Sequence, residues 1–232
     1  MKLSVRLKNL FLAVVIAGVA VGASFLFEQA HKAQNTTKTS PALGLTVVID
    51  AGHGGIDPGS VGKTTKTTER EINLAIANHL KSYLESANFD VVMTRKDENG
   101  LYGVYDKNYK LRDMQARRDI IVNSSASLLV SIHINSFTDS SRRGAQVFYD
   151  TTLPDSEKLA LCVQKCFQAD LPESTRGISV GDYYILKCSN IPSILCECGY
   201  ISNKTEEALL VSAEHQLKIA YSIFKGIIAY IS

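Results

Sequence analysis

Thr46–Gly55 reads TVVIDAGHGG: an apolar, β-branched run that closes on Asp50, followed by a glycine-rich turn carrying His53. A short apolar run bounded by glycine is read as a strand buried on both faces, the kind that fills the middle of a parallel sheet. Downstream, Thr68 stands as an N-cap with Glu71 three residues on, the pair that makes a capping box. Ile72, Ile76, Leu80 and Leu84 repeat every fourth residue and predict a helix to about Ser86. Asp90–Thr94 (DVVMT) predicts a second strand and Asp97–Tyr109 a polar, tyrosine-bearing loop. Leu111–Ser124 predicts a helix, Leu128–Asn135 (LLVSIHIN) another buried strand, Ala145–Tyr149 a short one, and Ser156–Ala169 an amphipathic helix. Tyr183–Lys187 and Ser193–Glu197 (SILCE) read as strands, and His215–Ile231 as the closing helix. Strands alternating with helices argue a single α/β domain, a mostly parallel twisted sheet with helices on both faces.

Composition agrees with a packed domain. The chain has 232 residues, 45% hydrophobic and 21% charged, which excludes disorder, and five cysteines are too few for a disulfide scaffold. Lys+Arg 25 against Asp+Glu 23 leaves +2. That surplus sits in residues 1–30, where Lys2, Arg6 and Lys8 face only Glu28, so residues 31–232 are neutral and nothing points to nucleic acid as a partner. Residues 1–9 are basic and Leu10–Phe27 is an uncharged run of 18, the pattern of a signal peptide or a membrane anchor. Positive charge ahead of the run places residue 31 onward outside the cytoplasm. Residues 31–43, rich in Thr, Lys, Gln and Ser, read as a tether, and 44–232 as the working domain.

Ligands of such sheets collect at the carboxyl ends of the strands. There the first strand delivers His53, LLVSIHIN delivers His133, and SILCE ends on Glu197, with Glu69 and Glu71 opening the first helix nearby. Two imidazoles and one or two carboxylates match a catalytic zinc, which takes three protein ligands and leaves a fourth position open. Each residue also has a plain reading. A histidine in a strand is more often a satisfied core residue, as His79 and His215 are read here, and Glu69 and Glu71 suit a helix N-terminus for electrostatic reasons alone. Glu197 resists that reading, because a carboxylate in so apolar a strand needs a partner or a function.

VVIDAGHGG, TTEREINLA, LLVSIHINS and PSILCECGYISN, four ordered motifs across about residues 45–232, resemble the zinc-dependent N-acetylmuramoyl-L-alanine amidases of bacterial cell-wall metabolism. The resemblance implies one catalytic zinc held by His53, Glu69 and His133, with Glu197 as the catalytic acid–base. It implies hydrolysis of the amide between N-acetylmuramic acid and L-alanine in peptidoglycan. Ala51 stands where the family usually carries Pro, and the loop before Glu69 is about one residue longer than usual, which keeps Glu71 in view as a ligand. The 63 residues between His133 and Glu197 leave little room for an inserted blocking helix. The compact layout looks most like the germination-specific branch, which acts on spore cortex and leads to muramic lactam. Asn135 and Arg95 are candidate substrate contacts, and an accessory or activator protein is a candidate partner. Another zinc-dependent wall hydrolase, a deacetylase or endopeptidase, and a non-catalytic wall-binding module are the competing readings.

Other features are read as structural. Gly62-Lys63-Thr64 is not a phosphate loop, since Asp57 stands where that motif needs glycine. Cys162, Cys166, Cys196 and Cys198 are expected as core thiols, with a disulfide or a four-thiolate metal site as the alternative, and Cys188 makes the count odd. Tyr102–Tyr109 is expected as an ordinary exposed loop, with glycan stacking as the alternative. Arg117, Arg118, Arg142 and Arg143 are expected as solvated charge, with steering of an anionic polymer as the alternative.

Overall fold

A computed structural model of the chain describes Gly44–Ser232; the expected signal or anchor over 1–30 and the tether over 31–43 lie outside the described residues. The elements run β1 (Thr46–Ala51), α1 (Glu69–Ser86), β2 (Asp90–Met93), α2 (Tyr109–Asn123), β3 (Leu128–Asn135), β4 (Gln146–Tyr149), α3 (Pro154–Asp170), β5 (Ser179–Val180), a 3-10 turn (Tyr184–Lys187), β6 (Ser193–Tyr200), α4 (Lys204–Leu210) and α5 (Ala213–Ile231). The six strands form one sheet in the order β2-β1-β3-β6-β4-β5. The four strands from β2 to β6 are parallel, and β4 turns the far edge by pairing antiparallel with β6.

Alternation along β1 sorts the core into two layers. Val47 and Ile49 pack with α1, α3 and α5 in the larger cluster, while Val48 faces Ile121, Leu129, Ile185 and Leu195 on the other side. The larger layer is tight: a Cβ on Gly226 of α5 would lie 2.5 Å from the Val163 Cα of α3. Helix α1 starts as the capping box requires, with the Thr68 backbone N–H and hydroxyl both donating to Glu71 Oε2 at 2.7 Å. Among the described residues no helix is long and apolar enough to cross a membrane.

Two expectations are corrected and one element is added. Tyr183–Lys187 is not a strand; Tyr184–Lys187 makes a 3-10 turn that packs Ile185 and Leu186 under the sheet. A five-residue apolar run is too short for its period to separate the two. The SILCE strand continues to Tyr200, so Glu197 lies within β6 rather than at its end. Helix α4 is an addition to the expected elements, and Asn203 caps it by accepting from the Thr205 and Glu206 backbone N–H groups.

This short helix and the residues just before it grip two loops. Glu207 accepts from the backbone N–H of Thr64 and Thr65, in the loop that leads to α1. Glu206 accepts from Gly144 N–H, Ser202 Oγ from Phe137 N–H, and the Asn203 amide donates to Ser140 O, all in the loop after β3.

Candidate active site

Beyond β1 the backbone continues through Gly52, whose N–H donates to Ile132 O at 3.0 Å, into His53 at φ +63°. Left-handed backbone is costly for a side chain with Cβ, and such strain gathers at functional positions. Two ties hold it: Arg117 Nη2 donates to His53 O at 2.5 Å, and Asp57 Oδ2 lies 3.1 Å from His53 Nδ1. A Cβ on Gly52 would lie 2.3 Å from Cε1 and Nε2 of His133, so only glycine lets that imidazole lie across the end of β1.

Glu69, the first residue of α1, points inward and is 3% exposed, while Glu71 faces out to its cap. Glu69 Oε1 lies 3.1 Å from His53 Nε2 and 3.0 Å from His133 Nδ1, and accepts from Ile134 N–H at 3.0 Å. Its Oε2 accepts from Ser60 N–H at 2.8 Å. His133 and Glu197 are register partners across β3 and β6, so their side chains share a face. Cys196 and Cys198 point into the opposite layer, as alternation predicts. All five cysteines are free thiols, and Cys162 and Cys166 are only half-buried.

The two acids are driven in opposite directions. Burial alone would raise Glu69, but hydrogen bonds and charge from His133 and His53 hold it far below the usual carboxylate range. Burial pushes Glu197 up to about 7; His133 and His53 offset little of this, and Glu69 adds to it. Among the described residues, Glu197 Oε2 is buried without a hydrogen-bond partner. Burial works against a charged His53, yet Asp57 and Glu69 together raise it to about 9. Paired acids whose environments push them apart are how a site assigns a fixed charge and a movable proton.

His53, Glu69 and His133 offer two imidazole nitrogens and a carboxylate oxygen, all within 4.8 Å of one another. Tetrahedral zinc ligands at ~2.05 Å stand roughly 3.4 Å apart, close to the 3.0–3.1 Å that separates Glu69 Oε1 from each imidazole nitrogen. The donor set therefore fits a metal ion of that kind. It opens onto a polar cleft of about 420 Å³ whose wall includes Ser60, Lys110, Asn135, Ser136 and Glu197.

Asn135 thus lies where a substrate contact is expected, but Arg95 does not. Arg95 is 2% exposed and donates to the carbonyls of Ala51, Asp97, Gly52 and Arg70, bracing the His53 loop from behind. Arg117 is likewise no solvated charge. It is 2% exposed, donating from Nη1 to Asp50 Oδ1 at 2.7 Å and from Nε to Asp113 Oδ2 at 2.6 Å. The tyrosine loop is not simply exposed either: Tyr102 is half-buried, and its hydroxyl accepts from Ile56 N–H at 2.9 Å. Asp57 stands out in the sequence only as the residue that breaks a phosphate-loop motif, and its spacing of four from His53 is the signal that ties it to the site.

The family model described as N-acetylmuramoyl-L-alanine amidase matches residues 47–229. The germination-specific N-acetylmuramoyl-L-alanine amidase of Bacillus subtilis is 33% identical over 212 residues, covering 89% of each chain. The amidase LytC of the same organism is 32% identical over 82% of this chain but only 36% of its own. Among solved structures, the CwlD amidase of Clostridioides difficile in complex with the GerS lipoprotein superposes with a TM-score of 0.78 at 40% identity, covering 81% of this chain and 98% of that one.

Proposed function

The chain belongs to the N-acetylmuramoyl-L-alanine amidases, which cut the amide between N-acetylmuramic acid and L-alanine in peptidoglycan, and we propose that it does so on spore cortex with one zinc ion. In this reading His53, Glu69 and His133 hold the zinc and Glu197 moves the proton. The observation that carries it is the buried, unpartnered Glu197 carboxylate beside a preassembled His-Glu-His group. Zinc, when bound, supplies a Lewis acid that polarises the scissile carbonyl and acidifies water.

The chain's own groups do the rest. Glu197, poised near 7, accepts a proton from the attacking water and returns it to the departing alanine nitrogen. One C–O bond forms, one C–N bond breaks, and Glu197 ends as it began. Asp57 Oδ2, 3.1 Å from His53 Nδ1, stands where outer-shell carboxylates orient metal-bound histidines. Asn135 lines the cleft, where its amide can hold the substrate backbone.

The cortex assignment rests on the germination-specific relative and on the CwlD likeness. It carries with it a place outside the cytoplasm, reached through the 1–30 signal or anchor, with 44–232 as the catalytic domain. The GerS complex of the similar amidase supports an accessory lipoprotein as a partner here too. The test is mass spectrometry of cortex and vegetative peptidoglycan digested by the full chain with zinc, beside a chelated control. Stem peptides beginning at L-alanine, matched by peptide-free muramic acid and lost on chelation, are expected. Deacetylated glycan or cleaved stems would overturn the reaction, and equal action on both walls the cortex preference. Glu197→Ala should stop turnover with zinc still bound.

A further inference from the structure

Beside the polar cleft, and sharing His53, Asp57, Lys110 and His133 with it, lies a second cavity of about 190 Å³. Its walls are of another character: Tyr102, Tyr109, Tyr183 and Tyr184 surround it, with Ile185 and Leu195 among its apolar lining. The two spaces meet at the imidazoles, so a substrate lying across His53 and His133 has one half in each.

The aromatic walls are held in place. Tyr102 is wedged between glycines, since a Cβ on Gly55 would lie 2.3 Å from its hydroxyl and one on Gly100 2.2 Å from its Cε1. Its ring meets Tyr109 edge-on at 5.5 Å, and Tyr183 is set edge-on against Phe148 at 5.6 Å. Charge is paired rather than presented: Arg117 joins Asp50 and Asp113. Away from the rim of His53, Asp57, Lys110 and His133 that it shares with the cleft, such a cavity offers aromatic faces and little to hold an ion.

We infer that this tyrosine-walled cavity is the glycan-side subsite, taking the N-acetylated pyranose ring of the muramoyl residue while the stem peptide lies in the polar cleft. The assignment rests on the amidase reading, and comes from the chemistry of the substrate's parts. Beyond its first alanine the stem carries charged groups, and burying these against apolar walls is unfavourable. The alanine methyl alone is too small for a space of about 190 Å³. The sugar is of suitable size, uncharged near the lactyl ether, and presents C–H-rich faces that stack on aromatic rings. Ser60, Asn135 and Ser136, by contrast, match peptide amides.

The experiment uses two substrates with the same scissile amide, a muramoyl-peptide glycan fragment and the lactyl-peptide lacking the sugar. The full-length, zinc-loaded wild type is compared with Tyr184→Ala and Tyr184→Phe; Tyr184 is 51% exposed, so its truncation leaves the core intact. Wild type should prefer the glycan substrate by at least about tenfold in kcat/KM, mainly through KM. Tyr184→Ala should cut that preference roughly 3- to 10-fold, the range of one aromatic contact, and Tyr184→Phe should keep it. No preference in wild type, or an Ala variant whose preference is unchanged, overturns the subsite. Binding of a peptide-free muramoyl disaccharide to the same proteins, tracked by saturation-transfer NMR, separates the two readings. Binding weakened by Ala and kept by Phe supports the subsite even where neither amide is cut, and it is then the amidase reading that fails. Absence of binding to wild type overturns the subsite.

Discussion

Replacing Arg117 by methionine keeps most of the side-chain volume and removes the guanidinium. The consequences can be worked from what the guanidinium touches. Asp50 is 2% exposed and would be left with only the Thr94 and Ser131 hydroxyls, each at 2.7 Å. The Ala51 and His53 carbonyls would each lose a donor. Removing one partner of a buried ion pair costs about 3–5 kcal/mol, which for a domain of this size lowers Tm by roughly 6–20 °C. The pH dependence is the sharper test. In the native protein burial would raise Asp50, but Arg117 and the two hydroxyls outweigh it and hold the group at about 2, below its ordinary 3.8. A depressed acid contributes stability above its unfolded value and loses it as pH falls toward the folded one, here about 2 kcal/mol between pH 4 and 2. In Arg117→Met burial is opposed only by the two hydroxyls and the Arg95 charge, and Asp50 titrates well above its native value, so the variant's deficit should be largest above pH 5 and shrink in acid. Urea unfolding of both proteins from pH 3 to 8 measures this. A deficit below ~1 kcal/mol, or one that does not change with pH, would refute the argument.

Three further substitutions probe the cleft. Glu197→Gln should lower kcat on the order of 10²–10⁴-fold. Because burial holds Glu197 near 7 rather than at its ordinary 4.5, ionising it penalises the fold above pH 7 and not below 4.5. The metal-free Gln variant should therefore gain up to about 3 kcal/mol at pH 8 and almost nothing at pH 4.5, and a gain equal at both would sink the burial argument. Gly52→Ala puts a methyl 2.3 Å from the His133 ring and should weaken zinc binding by ~tenfold or more in competition with a chromophoric chelator; native affinity would mean the ring is free to move. Asp57→Asn should weaken it about 10- to 100-fold in the same titration, and an unchanged constant would remove Asp57 from the metal's support.

Whatever depends on near neighbours is legible in the sequence. The glycine-flanked β1, the capping box at Thr68 and the apolar spacing of α1 each state their own conformation, and strand polarity then brings His53, His133 and Glu197 to one region. The inward turn of Glu69 can be read because its neighbour Glu71 already has a local partner. Features that depend on distant partners escape. Nothing near Arg117 announces Asp50, 67 residues away, and Arg95 finds three of its four carbonyls 25 to 44 residues away. Charge is assigned to solvent by default, and only tertiary structure overrides that. Tyr183–Lys187 fails for the opposite reason, since a local pattern that short is compatible with two conformations.

The grip of residues 202–207 on two loops has a mechanical consequence. The loop through Ser60 and the loop through Ser136 are the opposing lips of the polar cleft. Glu207 holds the first, and Ser202, Asn203 and Glu206 hold the second, all from one short stretch of chain. A cleft whose lips share one anchor keeps its width. In mechanical terms it is built as a fixed gauge rather than a jaw.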